Sequence, residues 1–188
     1  MLQVPLPITL AIIGAGPLGR WLAASAANAG MNVLLEDVMP LNLRHAQEAL
    51  RQQLGPEALP AIAFVSTIED AVHDADLIID CVPDELESKL EIFWLLDRMA
   101  PPRSVFASHM LRVSISDMAN CTYRPDRCIA IAAEASALAT NPGSEVLLRT
   151  APQTSAATIA LLENFWQTLG FVPRFAADAS ASPTPPSS

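Results

Sequence analysis

The chain has 188 residues, 51% of them hydrophobic, and a formal charge of −9 from 11 basic and 20 acidic side chains. That length suits one domain with a sizeable core, and the acidic balance argues against nucleic acid and anionic membranes as partners. No uninterrupted apolar run approaches the ~20 residues of a membrane span. Residues 1–7 lack the basic and long apolar regions of a leader, and Cys81, Cys121 and Cys128 lack metal-ligand spacing. The expectation is a cytoplasmic protein with reduced thiols and no metal site.

Residues 8–13 are an apolar run long enough for a strand buried on both faces. Gly14-Ala15-Gly16-Pro17-Leu18-Gly19 then fits G-x-G-x-x-G, and an Ala-rich helical stretch runs to Ala29, where Gly30 supplies a stop. A second strand over residues 32–35 ends on Glu36 and Asp37. In this arrangement Gly14 allows a tight turn, Gly16 lets the backbone approach a pyrophosphate, and Gly19 lets helix and strand pack closely. The helix N-terminus offers N–H groups and partial positive charge to phosphates, although Pro17 has no N–H to give. Asp37, eighteen residues after Gly19, can accept hydrogen bonds from a ribose diol. A carboxylate there repels a 2′-phosphate, and no Arg or Lys occurs over residues 38–43, so NAD(H) is expected over NADP(H).

Residues 41–54 read as an amphipathic helix with Leu43, Ala46, Leu50 and Leu54 on one face, broken at Gly55-Pro56. A third strand is expected over residues 61–65, a short helix over 67–72 and a fourth strand over 77–82. A long helix over residues 84–100 ends at Pro101-Pro102, with Leu90, Phe93, Trp94 and Leu96 expected in the core. Further strands are expected over 104–107, 128–133 and 145–149, the last reached through a small-residue loop containing Asn141-Pro142-Gly143. Helices are expected over 114–120 and 154–169, and an edge strand over 171–175. The domain is therefore drawn as residues 1–175, followed over 176–188 by a disordered tail of Ala, Ser and Pro. Strands alternating with helices imply an α/β fold: a doubly wound, mostly parallel Rossmann sheet in three αβα layers, with ligand at the carboxyl ends of the strands.

Several segments together resemble the NAD-binding domain of L-3-hydroxyacyl-CoA dehydrogenases and their lambda-crystallin and gulonate-dehydrogenase relatives. They are the glycine motif with its flanks, the stretch from Asp74 to Lys89, Val105-Phe106-Ala107-Ser108, residues 114–120, and Arg124-Pro125-Asp126-Arg127. The resemblance implies cofactor contacts from Gly14, Gly16, Pro17, Leu18, Gly19 and Asp37. It also implies Val82, Pro83 and Asp84 after the fourth strand, the lone lysine Lys89, and Ser108 and His109 after the fifth. Lys89 can also be read as a solvated helix residue paired with Glu85.

The family's chemistry rests on a His after the sixth strand, oriented by a Glu about a dozen residues later. Counting on from Arg127 puts Ala132 at the His position, and a register slipped to Asn141-Pro142 puts Leu138 there. Glu145 stands near the place of the partner Glu, and the family's S-N-T-S reads Ser108-His109-Met110-Leu111. The resemblance implies a helical C-terminal domain, and the Pro/Ser tail stands in its place. Candidate bases are His109, Glu134 and Glu145, and His109 is equally readable as a loop bystander. The resulting expectation is an NAD(H)-binding domain without hydroxyacyl-CoA dehydrogenation of its own. The alternative is an NAD-dependent oxidoreductase whose pocket is completed by dimerisation or a partner subunit. Met110, Leu111, Val113, Ala137 and Leu138 are expected as an apolar rim that a homodimer or partner covers.

Overall fold

The structure is a computed structural model that describes residues 8–55, 58–140 and 143–178. Residues 1–7, the Pro56-Glu57 and Asn141-Pro142 pairs and the tail from residue 179 onward lie outside the described residues.

The described chain alternates β1 (Thr9–Ile13), α1 (Pro17–Asn28), β2 (Asn32–Glu36), α2 (Pro40–Gln53), β3 (Ile62–Val65), α3 (Ile68–Val72) and β4 (Leu77–Asp80). It continues with α4 (Leu86–Met99), β5 (Val105–His109), α5 (Ile115–Asn120), β6 (Cys128–Ile131), α6 (Ala135–Thr140), β7 (Glu145–Thr150), α7 (Ala156–Thr168) and β8 (Val172–Ala177). One sheet holds the strands in the order β3-β2-β1-β4-β5-β6-β7-β8. β1 to β6 are mutually parallel, while β7 joins β6 antiparallel and β8 follows β7 in parallel. The winding reverses between β1 and β4, which places a crevice at the carboxyl ends of those two strands.

Two apolar layers flank the sheet, as the three-layer reading expects. One gathers Leu10, Ile12, Val33 and Leu35 under α1, α2 and α7, and the other gathers Ala11, Ile13 and Ile78 under α3, α4 and α5. Helix α1 lies close to the sheet because its buried face is small: Gly19, Leu22, Ala23, Ala24, Ala26 and Ala27. α2 buries Ala46 and Leu50, with Leu54 and Leu43 against the same layer, as its periodicity predicts.

Four local expectations are corrected. The stretch after Ala133, expected as a loop, contains α6, which seats Leu138 in the core against α1. The sheet runs past the boundary drawn at residue 175: β8 reaches Ala177, and the buried Asp178 accepts hydrogen bonds from Ser114 Oγ at 2.8 Å and Ser116 N at 3.0 Å. A carboxylate at the start of α5 satisfies amide groups there that have no partner within the helix. Helix α4 buries Phe93 and Leu96 but exposes Leu90 and Trp94, which lie in an outward stripe with Leu86. The expected apolar rim does not form as drawn, because Met110 and Leu138 are both core residues.

Candidate functional site

The loop between β1 and α1 carries out the local work expected of its glycines. Gly14 adopts φ +103°, a left-handed value that side chains rarely take, and its amide donates to Glu36 O at 2.8 Å. A Cβ on Gly19 would overlap the Gly14 carbonyl oxygen, so glycine there is what lets α1 start against β1. A Cβ on Gly16 would meet nothing within 4 Å, and the space above it belongs to a cleft. Pro17 occupies the first helical position, leaving Leu18 and Gly19 in a first turn whose amides have no intrahelical acceptor.

The cleft has a volume of about 670 Å³, within the range of small-molecule and cofactor sites. It runs from the glycine loop and the end of β2, past the turn after β4, to His109 at the end of β5 and Ala135 at the start of α6. Of the predicted cofactor residues, Gly14, Gly16, Pro17, Leu18, Asp37, Val82, Pro83, Asp84 and His109 line it. Gly19, Lys89 and Ser108 do not; they act beneath it.

Asp37 is almost buried and its carboxylate already has donors: Ala15 N at 2.9 Å, Met39 N at 2.8 Å and Asn42 Nδ2 at 3.1 Å from both oxygens. It therefore ties the glycine loop to the start of α2 as well as facing the cleft. Asp84 accepts the amides of Leu111 and Arg112 with one oxygen, each at 2.9 Å, while its buried Oδ1 has no partner among the described residues. An orphaned acceptor on a cleft wall is what a ligand hydroxyl or amide would satisfy.

Lys89 takes neither of its expected places. It is fully buried, with Nζ 2.8 Å from Asp80 Oδ2 and 3.0 Å from the Val82 carbonyl oxygen. Ser108 Oγ donates to the same Asp80 oxygen at 2.6 Å, and Val82 N donates to Asp80 Oδ1 at 2.9 Å. This network fixes the ends of β4 and β5 and the turn that carries Val82, Pro83 and Asp84. Burial and the Asp80 charge beside it push the Cys81 thiol up, so it stays protonated.

The candidate bases separate sharply. His109 lines the cleft, with Nε2 2.9 Å from the Ala133 carbonyl oxygen. Glu134 is exposed, and Glu145 forms an exposed pair with Arg174 at 2.7 Å; neither lines the cleft. Sequence reasoning passed over the cleft's apolar slot of Ile13, Ile68 and Ile92, and gave Glu36 no role beyond ending β2. Strand alternation on β2 could have found Glu36, because it places residues 34 and 36 on the face opposite Val33 and Leu35.

A doubly wound sheet with a glycine loop, an acid after β2 and a cleft at the β1/β4 switch point is the arrangement of dinucleotide-binding domains. The particular family follows from comparison. Residues 9–178 match the family model for the NAD-binding domain of 3-hydroxyacyl-CoA dehydrogenase, and the chain belongs to this family. A probable 3-hydroxybutyryl-CoA dehydrogenase of Bacillus subtilis is 32% identical over 131 residues, covering 63% of this chain and 45% of that protein. L-carnitine dehydrogenase of Burkholderia mallei is 37% identical over 131 residues, covering 64% and 40%. The chain thus spans less than half the length of these relatives. The crystal structure of a (S)-3-hydroxybutyryl-CoA dehydrogenase from Ralstonia eutropha superposes with TM-score 0.82 at 23% identity, over 91% of this chain and 64% of that one. A 3-hydroxyacyl-CoA dehydrogenase of Archaeoglobus fulgidus gives 0.77 at 27% identity, over 93% and 58%. NAD(H) is the cofactor that this membership carries, and the open space over Gly16 and the orphaned Asp84 oxygen fit it.

The buried pair beneath the cleft makes a sharp stability expectation. Lys89→Met strands Asp80 in the core, and breaking one side of a buried pair costs about 3–5 kcal/mol. Asp80→Asn combined with Lys89→Met removes the stranded charge and recovers much of that loss. Urea unfolding of the three proteins measures both effects, and equal midpoints for the single and double variants would contradict the assignment.

Proposed function

We propose that this chain is an NAD(H)-binding domain that does not by itself oxidise hydroxyacyl-CoA. The observation that carries this reading is the composition of the cleft. Its cofactor end has the glycine loop, Asp37 and Asp84 in place, whereas the only ring base lining its far end is His109. Counting along the family's motifs puts Ala132, a residue that cannot move a proton, at the family's His. Glu145, at the place of the orienting Glu, is engaged by Arg174 instead.

The cofactor end favours NAD(H) over NADP(H). Asp37 stands where the adenosine ribose would lie, and no Lys or Arg lines the cleft to accept a 2′-phosphate. Asn42 shares the Asp37 carboxylate, so a ribose diol takes over the acceptor sites that the Asn42 amide now occupies. His109 keeps the oxidoreductase alternative open in one respect: it is held on the cleft wall by the Ala133 carbonyl. A second copy or a partner subunit would then complete the pocket. The apolar surface for it is the α4 stripe of Leu86, Leu90 and Trp94, exposed on successive turns.

Isothermal titration should give NADH at least tenfold tighter than NADPH, a difference of about 1.4 kcal/mol. Asp37→Ala should weaken NADH roughly tenfold or more, through lost charge-assisted hydrogen bonds and a loosened glycine loop, while NADPH loses less. Equal affinity of the unsubstituted chain for both cofactors would sink the assignment.

Oxidation of 3-hydroxybutyryl-CoA with NAD, followed as NADH absorbance, should be undetectable for the pure protein, since loss of a general base alone costs ~10²–10⁴-fold. Steady turnover abolished by His109→Ala would overturn this and establish His109 as the base.

A further inference from the structure

Glu36 is the last residue of β2 and lines the cleft together with Asp37. Val33 and Leu35 pack in the layer under α1 and α2, so alternation sends residues 34 and 36 to the opposite face. There Glu36 forms part of the cleft wall with Ile13, Ile68 and Ile92. Its residue is only 4% exposed, and its carboxyl makes no hydrogen bond to any described residue. The contrast with its neighbour is complete: Asp37 is saturated with donors, whereas Glu36 has none.

The surroundings set its protonation state. From its own strand end Glu36 feels the Asp37 charge. From β1, α3 and α4 the cleft residues facing this slot are Ile13, Ile68 and Ile92, which carry no charge. The remaining ionisable cleft residues are Cys81 and Asp84 in the turn after β4 and His109 at the end of β5; burial and the Asp80 charge hold the Cys81 thiol protonated, and no Lys or Arg lines the cleft. Burial, with Asp37 adding to it, pushes the Glu36 carboxyl up to about 7. An apolar slot next to the ribose acid suits a purine base, and a base seated there removes the remaining water from the carboxyl. Such a site favours the neutral acid, whose O–H can donate to a ring nitrogen of the base.

We propose that Glu36 is the base-recognition residue of the cleft: it enters the complex as a neutral carboxylic acid donating to a ring nitrogen of adenine, so that dinucleotide binding takes up one proton. This rests on the NAD(H)-binding reading above. The sign follows directly. Below about pH 7 free Glu36 is already protonated and binding needs no proton. Above that value the competent form is a shrinking fraction, and the apparent Kd rises in inverse proportion to it. Between pH 6 and pH 8 the expected rise is about tenfold.

The test is calorimetric titration of the full chain with NADH at pH 6.5, 7.2 and 8, each in two buffers of different ionisation enthalpy. At pH 8 the buffer dependence should report uptake of nearly one proton. Glu36→Gln, a neutral isostere, should bind with the same Kd across the range and about tenfold tighter than the unsubstituted chain at pH 8. A flat Kd in the unsubstituted chain overturns the proposal, as does a pH slope retained in Glu36→Gln, which would assign the proton to a group other than Glu36. Absence of NADH binding at every pH in both proteins overturns the dinucleotide reading itself, and is distinguishable from a pH-flat Kd.

Discussion

The cleft depends on how closely α1 approaches β1. With any side chain at position 19 the helix would be displaced by the Gly14 carbonyl, and the first-turn amides would no longer face the crevice between β1 and β4. That approach is then locked from the side. Asp37 bonds Ala15 N within the loop and Met39 N and Asn42 at the start of α2, so one carboxylate joins β1, α1 and α2 at the cleft rim. The glycine-loop end of the cleft is therefore tied together before any ligand arrives, which lowers the ordering cost of binding.

Three nearly buried carboxyl groups along the carboxyl ends of β2 and β4 illustrate how surroundings assign roles. Asp80 meets an ammonium, a hydroxyl and an amide, and serves as a structural anion. Asp37 meets two backbone amides and a side-chain amide, and serves as a tether with one face to the cleft. Glu36 meets apolar walls and a like charge, and is the one driven toward its neutral form. Position at a strand end is common to all of them; the number of donors within reach separates them.

Much of this was legible in the sequence. The glycine loop, the alternating elements and the acid after β2 depend on local spacing, and each stands where periodicity puts it. The departures share a cause in long-range contact. Lys89 on a helix surface reads as solvated or ligand-facing, and only the fold reveals that Asp80, nine residues earlier, lies beneath it. Asp178 sits in an Ala- and Ser-rich stretch that composition assigns to a tail, yet its partners are 62 and 64 residues away. Helix α4 is apolar on two faces, Phe93 and Leu96 on one and Leu86, Leu90 and Trp94 on the other, so periodicity alone could not choose which to bury. α6 has too few large apolar residues to declare itself, with Leu138 its one core residue among those described.

The far end of the cleft bears on whether binding here leads to chemistry. A carbonyl oxygen can only accept, so the 2.9 Å contact to Ala133 requires the hydrogen on Nε2 of His109. In the neutral ring this leaves Nδ1 as the atom able to take a proton. A backbone carbonyl orients the ring as well as a carboxylate does, but it contributes a dipole where a carboxylate contributes a full charge. The imidazolium formed on proton abstraction would then be compensated less than in a His–Glu pair. Glu134 and Glu145 are exposed and outside the cleft lining, and Asp84, the acid that lines the cleft together with His109, accepts the amides of Leu111 and Arg112. The His109 ring is thus oriented through a backbone dipole, with no carboxylate hydrogen-bonded to it among the described residues.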